Sequence, residues 1–404
     1  MIDSLCDSYQ DQLTRLSDDQ LLINLINEIG GNRAWWLSDR PWSRMSGKFD
    51  PRQKAYGTLV FQTQDAPQEI CLIEVLRNSQ EGRIAEETSM FVDNVGRLRL
   101  TRFPEDSSLP NLAKVLNEGT HARVVQYIPH HRCTIQFRQI KGGGPGFAKV
   151  FDSDVGRRIH GDGVALWNLA AQGELGFLVS RPGRWDEQNL TLWQGTVEGK
   201  PIRISQLFDA KGPDLAYKMG RAIATFHQSN MTPSIIFDKE TVLQQAKRHG
   251  TELLDREPQL RGEVKPLLGE LQQAHDRATH KKSVPLHTDL HPEQWLEHET
   301  GLGLVDFDRI ALGDPEYDVA SFLTELEFKD KGRGRISKAT KAFWNGYESI
   351  APPLYPPLLN TYRAHKWLAK ALRAIGKIQV DGAFRAQQCL FHALECLSEK
   401  NSLC

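Results

Sequence analysis

Hydrophobic periodicity changes partway along this 404-residue chain, and the change limits the architectures open to it. Up to about residue 195 the apolar residues recur in short runs rich in β-branched and aromatic side chains. These are TLVFQT (58–63), ICLIEV (70–75), VGRLRLTRF (95–103), ARVVQYIP (122–129), RCTIQFRQI (132–140) and GFAKVFD (146–152), then LVSRPGRW and NLTLWQG around a DEQN turn. Alternation puts every second side chain on one face, as a strand requires. From Asp214 onward, in DLAYKMGRAIATFHQS, TYRAHKWLAKALRAIGKI and FRAQQCLFHALECLSE, apolar residues recur at helical spacing instead. Strands gathered first and helices afterwards predict an α+β chain. At this length two or three lobes are expected in place of one core, and the loop carrying Pro104, Ser107, Ser108 and Pro110 and the end of the strand runs at Gln194 and Gly195 divide them at 1–105, 106–195 and 196–404. Within the first, Ser17 and Gln20 have capping-box spacing ahead of LLINLINEI, with Gly30 and Gly31 as a stop, which predicts a helix over 18–29.

A quarter of the residues are charged but the formal net charge is only −1. That gives no general attraction to nucleic acid or to an anionic membrane surface, so small molecules are the expected partners. The six cysteines are scattered without a C-x-x-C pair, which signals neither a zinc knuckle nor a disulfide framework. With no leader-like segment and no apolar run of membrane-spanning length, a cytoplasmic protein with reduced thiols is expected. The cluster Trp35, Trp36 and Trp42 reads as core packing ahead of a cation cage. The glycines of GGGPG (142–146) read as a hairpin turn, since they match no phosphate-loop pattern and precede a strand. KDKGRGRISK (329–338) reads as a solvated basic loop.

Chemistry concentrates in LHTDLHPEQWLEHETGLGLVDFD, residues 286–308. It admits two readings. In the first, His287, Asp289 and His291 alternate along an extended segment and ligate a transition metal, with Asp306 or Asp308 completing the site. In the second, QWLEH, an ETG turn and LGLVDF form a hairpin that returns Asp306 beside Asp289. Asp289 then accepts or orients the proton of a hydroxyl while Gln294 and Asp306 hold Mg²⁺ on a nucleotide. Lys149, in FAKVF, shares a strand face with Phe147 and Phe151, and a lysine directed inward requires an anionic partner. A nucleotide phosphate is one such partner, and a sheet rim open to water is the alternative.

HTDLHPEQ followed by GLVDFDRIALGDPEYDVASF resembles the catalytic core of the aminoglycoside phosphotransferase and choline kinase family. Three sub-motifs occur in order over 286–322. The resemblance implies a two-lobed protein-kinase-like fold, with a small antiparallel sheet lobe, a large mainly helical lobe and, outside it, an extra N-terminal α+β segment. It implies ATP and Mg²⁺ as cofactors, Asp289 as the catalytic aspartate, Asp306 as the principal metal ligand and Lys149 as the phosphate-binding lysine. Gln194, Gly195 and Thr196 would approach the adenine through the hinge backbone, and His287, Asp314 and Asp318 would be mainly structural. Two departures stand out: Gln294 occupies the place of the family's metal-binding Asn, and the helix after Lys149 offers no glutamate to pair with it, only Asp162.

The function this implies is transfer of the γ-phosphoryl group of a nucleotide to a small-molecule hydroxyl. Gln294 and the missing glutamate keep open a nucleotide-binding pseudokinase acting as a regulatory module, and the His287/Asp289/His291 triplet a metal-dependent hydrolase. Glu325, Glu327 and Trp367 would suit a cationic acceptor, or equally a helix surface and a helix core.

Overall fold

The computed structural model describes residues 12–33, 41–50, 55–65, 68–76, 89–92, 95–279, 283–330 and 337–398. A helix over 12–17 (α1) leads into α2 (Asp19–Asn32). Its cap is Asp18, whose side chain accepts from the Leu21 N–H, while the Ser17 hydroxyl turns back to the Leu13 carbonyl. The predicted start is thus one residue early, and Gly30 and Gly31 lie within the helix. Strands β1 (Trp42–Phe49), β2 (Ala55–Thr63), β3 (Ile70–Leu76), β4 (Ser89–Val92) and β5 (Gly96–Arg102) form a sheet in the order β1-β2-β3-β5-β4. Of the tryptophan cluster, Trp35 and Trp36 lie outside the described residues. Trp42 is buried in the module's core with its indole N–H on Asn27.

β3 explains why ICLIEV is a continuous apolar run. Cys71, Ile73 and Val75 face α1 and α2, whereas Ile70 and Leu72 face the next sheet, so both faces of the strand are covered. A short helix after β5, α3 (Leu112–Leu116), leads to that next sheet, and two stubs beside it, β6 (Gly119–Thr120) and β9 (Gln139–Ile140), pair with each other. It contains β7 (Arg123–Ile128), β8 (Arg132–Phe137), β10 (Gly146–Phe151), β11 (Pro182–Asp186) and β12 (Thr191–Gly195), in the order β11-β12-β10-β8-β7. Gly142 turns between β9 and β10 with φ +74°, the hairpin role read for it. The segment after β10 is a full helix, α4 (Val155–Ala171). Its glycines do not break it: Gly156 lies against the Trp185 ring, where a β-carbon would collide.

The helical lobe holds α5 (Gly212–His227), α6 (Lys239–Arg256), α7 (Arg261–Arg277), α8 (Glu316–Asp330), α9 (Ser337–Glu348), α10 (Pro356–Ile375) and α11 (Gly382–Ser398). Two small sheets lie among them. β13 (Lys200–Pro201) pairs with the hairpin β16 (Trp295–His298) and β17 (Gly301–Leu304), and β14 (Ile236–Phe237) and β15 (Val284–Leu286) flank β18 (Ala311–Gly313). The basic stretch read as a loop is helical at both ends, where Lys329 and Asp330 close α8 and Ser337 opens α9, and 331–336 lie outside the described residues. No helix among the described residues is long and apolar enough to cross a membrane.

The N-terminal module touches both lobes. Its buried Glu74 meets His130 at 3.1 Å, and His130 meets Asp106 at 3.1 Å. These hydrogen bonds, to Asp106 first and then to Glu74, push the imidazole up to about 10. On the helical side the Phe49 N–H donates to the Gly376 carbonyl at 2.9 Å, Asp50 pairs with Arg256 at 3.3 Å, and Ile378 joins the module's own core.

Candidate active site

The hairpin read from the sequence is present, with Trp295 opposite Leu304 and His298 opposite Gly301. The Val305 N–H donates to the Gln294 carbonyl at 3.2 Å, which brings Asp306 back to the catalytic-type loop. That loop is not the extended segment the metal-triplet reading needs. Thr288 has φ +68°, so the alternation that would align His287, Asp289 and His291 is broken. The His287 ring is buried, with Nε2 on the Val305 carbonyl at 3.0 Å, and His291 Nδ1 accepts from the Glu293 N–H. Among the described residues no three His, Cys, Asp or Glu side chains come together as a metal-binding group.

A buried carboxylate holds the loop in its left-handed turn. Asp318 accepts from the backbone N–H groups of His287 at 2.6 Å and Thr288 at 2.8 Å, and lies 3.2 Å from His227 Nε2. Burial alone would raise its pKa, but His227 and the loop amides outweigh that and hold it below the usual carboxylate range. Charge-assisted bonds of this kind contribute about 1.5–3 kcal/mol each, enough to fix a strained residue beside Asp289. Asp314 accepts from the Tyr362 hydroxyl at 2.6 Å. Both therefore act on the scaffold.

Lys149 does point inward from β10 and is buried. Its ammonium stands 2.5 Å from Asp308 and 3.5 Å from Asp306. Asp308 is also held by Arg132 at 3.0 Å, and its backbone carbonyl accepts from Arg158 at 3.0 Å. Asp162, the acid the sequence offers by position, pairs with Arg158 one helical turn away and not with Lys149. Thus the lysine's anion comes from the hairpin and not from α4. Asp306 is half exposed at φ +70°. Burial raises its pKa and the charges of Lys149, His287 and Arg132 lower it, with the lowering dominant.

Gln294 is buried, its Oε1 accepting from the His291 N–H at 3.1 Å and its Nε2 without a partner. Of the hinge residues, Gln194 lines a cavity of about 50 Å³ with Lys149, Leu166, Asp306 and Phe307, and the Gly195 N–H donates to the Arg181 carbonyl at 2.9 Å. Thr196 follows directly on the end of β12.

On the other side of Asp289 a much larger cavity opens, of about 680 Å³. Its walls come from α6, α8, α10 and the Asp289 loop, and also from Gly47, Lys48 and Asp50 of the N-terminal module. Sequence reading found no role for that module. The signal was not local, since a lysine, a glycine and an aspartate at a strand end carry no motif. Glu325 pairs with Lys370 and Glu327 with Arg363, while Trp367 packs in the helical core. None of the three is free to receive a cationic acceptor.

This arrangement has counterparts. A family model described as "phosphotransferase enzyme family" matches residues 168–353. The matched stretch runs from the end of α4 through β11 and β12 into the helical lobe as far as the segment after α9. The structure also resembles a choline kinase from Streptococcus pneumoniae, with 16% identity, 70% of this chain and 97% of that one covered, and a TM-score of 0.51. A choline kinase from Cryptosporidium parvum matches at 10% identity over 72% and 93%, with a TM-score of 0.50. An amicoumacin kinase solved with AMP-PNP, Ca²⁺ and Ami matches at 14% identity over 73% and 94%, with a TM-score of 0.51. No curated protein matches the sequence. The family match over 168–353 and the protein-kinase-like fold together support a small-molecule phosphotransferase, a kinase by reaction class.

Proposed function

We propose that the phosphotransferase uses ATP and Mg²⁺, with Asp289 as the residue that receives the acceptor's proton. The observation that carries this reading is the position of Asp289. It is partly exposed, opens onto the large cavity, and sits on a loop locked by Asp318. An acceptor hydroxyl oxygen bonds to the γ-phosphorus, the bond from that phosphorus to the β–γ bridging oxygen breaks, the proton passes to Asp289, and ADP leaves. Such transfer needs positioning and charge neutralisation more than covalent help.

Lys149 would neutralise phosphate oxygens after exchanging Asp308 for them, and Gln194 to Thr196 would border the adenine. The residues present suit Mg²⁺, which takes oxygen donors and keeps several waters. Asp306 offers a half-exposed carboxylate, and the Gln294 Oε1 retains a second lone pair beyond the one given to His291. The buried, partnerless Gln294 Nε2 would be satisfied by a phosphate oxygen. When bound, the metal would neutralise charge on the phosphates. Pockets for drug-sized ligands measure roughly 300–1,000 Å³, so the 50 Å³ cleft would have to widen on nucleotide entry.

The test is to assay ATP consumption with Mg²⁺ against a broad panel of hydroxyl compounds, alongside nucleotide binding followed by thermal shift. Turnover with at least one acceptor, and a rise in melting temperature with nucleotide plus Mg²⁺, are expected. Nucleotide binding without transfer to any acceptor would replace the reading with that of a binding module.

A further inference from the structure

The large cavity has an unbalanced set of charges. Arg256 is matched by Asp50 at 3.3 Å and Glu252 at 3.9 Å, and Lys370 by Glu325. What remains on its walls is Lys48, Arg309, Lys366, Arg373 and Lys377, none with a carboxylate partner among the described residues, against the one carboxylate Asp289. Family-type acceptors such as amino-alcohols and amino-sugars are cations, and this wall would repel them.

The placement of two of these cations points the same way. Lys366 Nζ donates to the Thr288 carbonyl at 3.1 Å, one residue from Asp289, and lies 3.5 Å from the Tyr317 ring centroid. Burial, against the attraction of Asp289 and Asp318, pushes its ammonium down to about 7. An ammonium kept there without a carboxylate is costly unless something anionic arrives. Lys48 of the N-terminal module and Lys377 after α10 are directly paired across an antiparallel bridge, where like charges oppose each other. Both line the cavity.

We propose that the acceptor is an anion. It is a hydroxyl compound bearing a phosphate or carboxylate group, held by Lys366 and Arg309 next to Asp289, with Lys48 and Lys377 closing over its charged end. The N-terminal module thereby supplies part of the acceptor site. This rests on the kinase reading above, since it takes the cavity beside Asp289 as the acceptor's place.

Calorimetric titration of the full chain tests it, without nucleotide and again saturated with AMP-PNP and Mg²⁺ so that the nucleotide's phosphate site is filled. The probes are inorganic phosphate and gluconate as anions, choline and glucosamine as cations. Both conditions are expected to show an anion binding and the cations not. Lys366→Met and Lys48→Met should each weaken the anion about tenfold, the loss of one charge-assisted hydrogen bond, at unchanged melting temperature. A response to phosphate alone would specify a phosphorylated acceptor, and to gluconate alone a hydroxy acid. Tighter binding of a cation, no saturable binding of either anion, or anion binding indifferent to both substitutions overturns the proposal. Failure of AMP-PNP to bind would instead count against the kinase reading, because the nucleotide-free titrations still decide the charge preference.

Discussion

The two cavities on either side of Asp289 and Asp306 are held in opposite ways. In the interlobe cleft every strong charge has a partner: Lys149 meets Asp308 and Asp306, Arg132 meets Asp308, and Arg158 meets Asp162. The space left is about 50 Å³. In the cavity beside Asp289 about 680 Å³ is open, and five of its cations have no carboxylate partner among the described residues. A site whose ligand exchanges with an internal ion pair can be fully satisfied without that ligand. A site that relies on its ligand for neutralisation carries the imbalance itself.

Substitutions can break this contrast. The largest effect is expected at Asp289, on the wall of the large cavity. Asp289→Asn should lower turnover by about 10²- to 10⁴-fold if the residue serves as general base, with nucleotide binding retained in a thermal-shift assay. Next is Asp308→Asn in the cleft. It leaves Lys149 and Arg132 buried without their shared carboxylate, a loss of about 3–5 kcal/mol for a broken buried pair, read as a lower denaturation midpoint. Lys366→Met sharpens the comparison. Removing a desolvated ammonium that has no carboxylate should leave the midpoint unchanged or raised, whereas a fall as large as that of Asp308→Asn would make the two cavities energetically alike.

A pH-dependent effect concerns the seam that positions the module. His130 titrates near 10 in the folded chain and near 6.5 when unfolded. Its stabilisation is therefore fully present below about pH 6.5 and lost as pH rises through 10. Glu74 and Asp106 are held below their ordinary values despite burial, by His130 and by Arg99 or Tyr127, so their share is present above about pH 4.5 and lost on acidification. His130→Gln should lower the melting temperature most between about pH 4.5 and 6.5, and not at all above pH 10. An equal loss at every pH would assign His130 a packing role only.

Much of the catalytic lobe was legible because its signals are local. The hairpin from Gln294 to Asp306 is readable in alternation broken by a turn, whereas the left-handed Thr288 carries no such signal and breaks the alternation read for His287, Asp289 and His291. The five-stranded sheet around Lys149 follows from apolar runs joined by turn residues. Helix α4 runs unbroken from Val155 to Ala171 although Gly161 and Gly163 weaken its local propensity.

By itself the sequence determined the order of strands before helices, the face of its strand that Lys149 occupies, and the loop and hairpin that carry Asp289 and Asp306. Each depends on neighbours a few residues away, through backbone hydrogen bonds and side-chain alternation. Only the tertiary structure decided that Lys149 meets Asp308 and not an acid on α4, and that residues 47–50 wall the cavity beside Asp289. Those contacts join segments 159 or more residues apart. They are set by which apolar faces bury together, and many sequences of the same pattern could satisfy that burial with different partners.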